Sequence, residues 1–273
     1  MKSVGCSLFT LLGLVLLSGN VLSQEPTTAG IDPEALINQI LQVDGEQQAR
    51  LKDAAFDATY VEGETKDDGR YEEKLRFMKR ISIKYFPDTA WFHEQYIQYY
   101  KDGKLKSDED CRKAAEERIE KKRRRGAMDI SYPMIRPFTQ RHRALYTITY
   151  QGIVPEKIEN YICHKFRVDA IEPADSLING DYYFESDGFH LVRVDFSPSK
   201  LVKRSMFKMN QMNMSLTFEK SVGDFWLPAK FQIQMRAKAM WVIGIKVSGT
   251  EEYRNAVVNS GIDDQLFEVH DDK

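Results

Sequence analysis

Between Ala144 and Tyr253 apolar and polar residues alternate through one segment after another, and a period of two leaves little room for anything but β-strands. The pattern predicts strands at Leu145–Gly152, Asn160–Ile171, Asp181–Glu185, His190–Phe196, Arg204–Phe218, Phe225–Arg236 and Ala239–Tyr253. Asp187-Gly188 and Val222-Gly223-Asp224 supply turns between them. Ile162, Phe166 and Val168 face one way, with Cys163, Lys165, Arg167 and Asp169 opposite. Phe231, Ile233 and Met235 alternate likewise with Gln232, Gln234 and Arg236. Consecutive long hairpins with one apolar face predict a mainly β (α+β) chain built on a strongly curved antiparallel sheet.

Upstream, the same period returns at Phe56, Ala58 and Tyr60, and again at Leu75, Phe77, Ile81 and Ile83. An aromatic-rich run from Trp91 to Tyr100 ends in the turn Lys101-Asp102-Gly103-Lys104. Before these strands, Asp32 to about Leu41 reads as a short amphipathic helix. Asp32 caps it, Pro33 fits its first turn, and Leu36, Ile37, Ile40 and Leu41 form one stripe that can close over the sheet. A second helical stretch is expected from Gly45 to Ala54. A further helix, about Asp108 to Arg125, opens with Ser107 and Asp110 in a capping-box pattern and has a thin apolar face of Cys111, Ala115 and Ile119. Its Lys121–Arg125 run suits either a solvated helix end or anionic headgroups. Residues 127–140, with Pro133 and Pro137, read as irregular linker.

The first residues predict export. Lys2 precedes an uncharged apolar stretch from Val4 to Leu17, too short for the ~20 residues that span a bilayer. Val21-Leu22-Ser23 offers a signal-peptidase site, so cleavage is expected after Ser23, leaving 24–273 as one domain with a helix–loop insertion at about 107–140. No Cys occurs at positions 18–30, which argues against a lipid-anchored N-terminus. Loss of Lys2 with the signal takes the formal net charge from −2 to −3, so nucleic acid is not an expected partner. Cys111 and Cys163 remain after cleavage and are left open as a disulfide or as two free thiols.

Chemistry-bearing motifs are sparse. The histidines at 93, 142, 164, 190 and 270 lack metal-ligand spacing, and no phosphate-binding glycine loop or nucleophile elbow is present. Ser197-Pro-Ser-Lys200 and Ser205-Met-Phe-Lys208 match a short Ser-x-x-Lys pattern without its companion motifs. The expectation is a protein that is not an enzyme and carries no metal or cofactor. Met206, Met209, Met212, Met214, Met235 and Met240 are six of the ten methionines. They suit core filling, an adaptable apolar cavity or, with poorer geometry, soft thioether ligation of copper.

Taken together, the N-terminal helix Glu34-Ala-Leu-Ile-Asn-Gln-Ile-Leu41, the Lys101-Asp102-Gly103-Lys104 turn and the strand run that follows resemble the LolA/LolB/RseB-like superfamily. That run is Tyr161-Ile-Cys-His-Lys-Phe-Arg-Val168, Gly180-Asp-Tyr-Tyr-Phe-Glu-Ser-Asp187 and His190-Leu-Val-Arg-Val194. The ending Val258-Asn-Ser-Gly-Ile-Asp-Asp-Gln-Leu-Phe267 is similar too, while the insertion at 108–140 departs from the simplest members. The resemblance implies an unclosed β-barrel with a helical lid over an apolar cavity, in a periplasmic protein that binds lipid acyl chains or lipoproteins without a cofactor. Envelope membrane proteins would be further partners of the monomer. Transport and sorting of lipoproteins is one implied role; sensing or interaction on the same scaffold is the other. No arginine of the family is carried over to this chain.

Strand alternation then selects the cavity lining: Phe77, Ile81, Ile83, Phe166, Val168, Met212, Met214, Phe231, Ile233, Met235, Trp241 and Ile243, beneath a lid of Leu36, Ile37, Ile40 and Leu41.

Overall fold

The computed structural model describes residues 30–66, 68–86, 90–125, 136–204, 206–240 and 243–267. The signal segment and its cleavage site, most of the 127–140 stretch, and Trp241 lie outside the described residues.

The chain opens with a helix, α1 (Pro33–Arg50), whose first turn follows the expected chemistry: the Asp32 carboxylate accepts a hydrogen bond from the Glu34 amide at 3.0 Å, and Pro33 starts the helix. It runs unbroken past Gly45, so the expected second helical stretch is the rest of the same helix. Gly45 is exposed and a side chain there would meet nothing, so no packing calls for glycine, which costs the helix about 1 kcal/mol relative to alanine. Four strands follow: β1 (Asp53–Thr65), β2 (Tyr71–Tyr85), β3 (Ala90–Lys101) and the two-residue β4 (Lys104–Leu105). Asp102 and Gly103 both take positive φ, 49° and 73°, as a tight hairpin turn requires.

Next comes α2 (Asp108–Arg125), capped by the Ser107 hydroxyl, which accepts from the Asp110 amide at 3.2 Å. A 3₁₀ turn at Arg136–Phe138 and the short α3 (Gln140–Arg143) lead into the second half. Its strands are β5 (Tyr146–Ile153), β6 (Cys163–Ala170), β7 (Ile178–Glu185), β8 (Leu191–Pro198), β9 (Lys203–Arg204), β10 (Phe207–Lys220), β11 (Trp226–Ala239) and β12 (Ile243–Val258). A last 3₁₀ turn spans Asp264–Phe267.

Among the described residues all strand pairings are antiparallel and form a single 12-stranded sheet in the order β4-β3-β2-β1-β12-β11-β10-β8-β7-β6-β5, with β9 added beside β10. The chain's first long strand thus lies against its last: Tyr60 faces Glu251 and Ala58 faces Tyr253. One meander, β1–β4, and a second, β5–β12, join along this seam.

The mainly β, antiparallel expectation holds, but the strongly curved sheet forming an unclosed barrel does not. The sheet is open, with β4 at one edge and β5 at the other. Its buried side chains divide into separate clusters instead of one enclosed core. The physical reason lies in the cover. Helix α1 buries the β5–β11 part of the inner face, α2 packs at the β3 end, and Cys163, Val192 and Trp226 form a small core on the opposite face. With both faces partly covered at separate places, the sheet need not roll up to hide its apolar side chains.

Candidate functional site

Alternation puts Phe166 and Val168 of β6, Met214 of β10 and Phe231 of β11 on one face, where they pack with Leu36, Ile37 and Ile40 of α1. Leu41, Met212 and Ile233 border this cluster and are half-buried. Burial of Leu36, Ile37 and Ile40 contributes about 1.5–3 kcal/mol each and fixes the helix on the sheet.

Phe138, from the 3₁₀ turn before α3, joins the same cluster and is 1 % exposed. Its ring meets Phe166, Tyr182 and Phe184 edge-on, at centroid distances of 5.6, 5.2 and 5.4 Å. These edge-to-face contacts pair ring edges with ring faces and favour a tightly filled interior. The Tyr182 hydroxyl, fully buried here, has no hydrogen-bond partner among the described residues, a departure from the rule that interior polar groups are paired. His164 closes the β6 end as a core histidine: its Nδ1 and the Tyr150 hydroxyl are 2.9 Å apart, and burial lowers its pKa.

Polar contacts tie down both ends of α1. The Gln47 amide bonds the Trp226 backbone in both directions, accepting at 2.8 Å and donating at 3.1 Å. At the other end Arg143 of α3 makes a bidentate pair with Glu34. Between them Asp44 is half-buried one turn beyond Ile40 and accepts from Gln48. Burial pushes its carboxyl up to about 6.

The remaining expected lining residues go elsewhere. Ile81 and Ile83 join Leu51, Phe56, Phe225 and Leu227 in a second cluster on the same face, bridged to the first by Tyr253. Phe77 stacks on Tyr99 at 4.7 Å and meets Tyr96 edge-on. Met235 is half-buried and belongs to neither cluster. Ile243 begins β12. Cys111 and Cys163 are free, buried thiols on opposite faces of the sheet, so the disulfide alternative is set aside. Burial, with Glu185 nearby, raises the Cys163 thiol to about 12.

Between the two meanders the inner face carries a belt of buried charge that the strand pattern did not reveal. Lys79 of β2 is 3 % exposed and pairs with Glu94 of β3 and, at 2.6 Å, with Glu251 of β12. The carboxylates in turn accept from phenols, Tyr96 to Glu94 at 3.1 Å and Tyr253 to Glu251 at 3.0 Å. Burial, reinforced by these carboxylates, raises the pKa of both phenols. Arg118 of α2 covers the Tyr60 ring at 4.1 Å and reaches Glu62 at 3.7 Å. Beside this belt a cleft of about 300 Å³ opens between α2 and β3, lined by Glu94, Tyr96, Ile97, Cys111 and Ile119 among others. The one sequence signal was negative: position 79 is a lysine between Phe77 and Ile81, where the apolar period calls for a hydrophobe. No group of three or more His, Cys, Asp or Glu among the described residues is placed to hold a metal.

No protein-family model matches the sequence, and no curated protein matches it. Solved structures do. A DUF1329 family protein from Desulfovibrio piger matches over 88 % of this chain and 98 % of its own, at 13 % identity and a TM-score of 0.46. A LolA superfamily protein from Nitrosomonas europaea covers 85 % and 97 %, at 9 % identity and a TM-score of 0.36. A chain of the Pseudomonas aeruginosa MucA/MucB complex covers 81 % and 93 %, at 9 % identity and a TM-score of 0.24. All three identities are low, and all three TM-scores lie below 0.5.

Proposed function

We propose that the protein is exported to the periplasm, with its signal removed after Ser23, and there binds lipid acyl chains on the inner face of its sheet. In this reading α1 is a lid, Phe138 occupies the acyl site in the closed form, and no cofactor takes part. The observation that carries it is the way α1 is held. Its apolar stripe is short, its two ends are tied by polar contacts that water can replace, and Asp44 places a poorly solvated carboxylate beside the stripe. A helix held in this manner can lift without unfolding the sheet. Beneath it the flexible Met212 and Met214 accept variable apolar shapes. Each CH₂ of a chain that replaces Phe138 gains about 0.8 kcal/mol.

A second reading, an envelope interaction or sensing protein without lipid cargo, is favoured by one feature: the interior under α1 is filled by aromatic side chains. Binding of a fluorescent fatty acid separates the two. The lipid reading expects saturable binding by the wild type, tighter binding by Phe138→Ala, and loss in Met214→Asp, where a carboxylate would be buried without a partner. Far-UV circular dichroism checks that each variant is folded. Absence of binding by folded wild type and folded Phe138→Ala selects the second reading.

A further inference from the structure

The long strands β10, β11 and β12 meet at one end in a region with unusual charge. No Asp or Glu occurs in residues 196–218 or 225–250. At the far end of β9–β12 the cations face one another. Lys208 lies directly opposite Lys203 on one side and Lys238 on the other, and Arg236 lies opposite Lys246 one step along the same face. Like charges in directly opposed positions destabilise a sheet. Lys203, Lys208, Arg236 and Lys238 are exposed and form no ion pair among the described residues. Stability alone would not place them there.

The same end exposes aliphatic side chains. Met206 is 65 % and Met240 57 % exposed, with Leu201 and Val202 beside them. Backbone bonds knit these into one tip: the Met240 amide donates to the Met206 carbonyl at 2.8 Å, and the Met209 amide to the Val202 carbonyl at 2.9 Å. Cations set against exposed flexible aliphatics match the two layers of a bilayer interface, phosphate outside and acyl chain just within. A nucleic acid or an acidic protein would use the lysines and leave the methionines without a role.

We propose that this tip docks on an anionic phospholipid surface. No helix among the described residues is long and apolar enough to cross a membrane. The proposal is independent of the acyl site and is read by a different assay.

The test is cosedimentation of the mature protein with vesicles of phosphatidylcholine alone, or with about a third phosphatidylglycerol. The wild type is expected to pellet with the anionic vesicles only, and to be released by salt. Each cation near the surface is worth about fivefold in binding, so Lys208→Gln with Lys238→Gln should weaken it about thirtyfold. Met206→Ser with Met240→Ser should weaken it as well. All four positions are exposed, and circular dichroism verifies the folds. Unchanged binding by either double variant overturns the proposal, as does failure of the wild type to bind. Binding to soluble dextran sulfate but not to vesicles would assign the cations to an acidic macromolecule and also overturn it.

Discussion

Asp44 is a carboxylate in a helix position that the apolar period assigns to burial, and its pKa gives that placement a measurable consequence. The folded state raises it from the ordinary 3.8 to about 6, because burial disfavours the charged form. The folded protein therefore holds this proton more tightly than the unfolded chain. The group's contribution is most favourable below about pH 4, declines between about 4 and 6, and is flat above that. The full penalty at neutral pH is roughly 3 kcal/mol. Asp44→Asn should raise stability above pH 6 by an amount of that order and give nothing below pH 4. Urea unfolding of the two proteins at pH 4 and pH 7 measures it; an equal difference at both pH values would refute the assignment. Single residues of this kind were the least legible part of the sequence. Phe138 stands in a proline-containing stretch with no period, so nothing local marks it as the ring that fills the core. Cys163 read as the polar side of its strand, yet it is buried because a second, small core lies there.

At the scale of elements, β2 carries the most consequential exception to its own pattern. Lys79 holds together three strands, pairing with Glu94 on β3 and Glu251 on β12 across β1. Removing one partner of a buried ion group leaves the others uncompensated, at about 3–5 kcal/mol. Lys79→Met should therefore destabilise the protein by that amount, although methionine suits the apolar face around it. Adding Glu94→Gln and Glu251→Gln removes the stranded charge and should recover most of the loss. Chemical denaturation of the single and triple variants decides this; a single variant within about 1 kcal/mol of wild type would sink the idea. The elements themselves were largely legible, since caps, turns and alternation are local signals. Asp32 and Ser107 cap the helices as read, and most strands fall near their expected bounds. The charge belt was not legible, because its members lie at 79, 94 and 251 and only the β1–β12 seam brings them together.

Curvature is a property of the whole molecule, and alternation carries no information about it. A one-faced apolar pattern fits a sheet that rolls around its own core, and equally an open sheet whose inner face is covered in two places. Two helices at different ends, with a small core on the outer face, make the second arrangement the actual one. The two inner clusters nevertheless share Tyr253 and a continuous ladder of strands. Separating the meanders would break the β1–β12 pairing, uncover Tyr253 and strand the Lys79 ion group in one step. The two halves should accordingly unfold together. Trp91 on β3 and Trp226 at the start of β11 report from the two meanders. In variants that keep only Trp91 or only Trp226, with Trp241 replaced in both, fluorescence and far-UV circular dichroism should give coincident urea transitions. A Trp91 signal that is lost at clearly lower urea than the Trp226 signal would mean that the β1–β4 meander opens by itself, and that the seam is weaker than its buried charges and shared tyrosine imply.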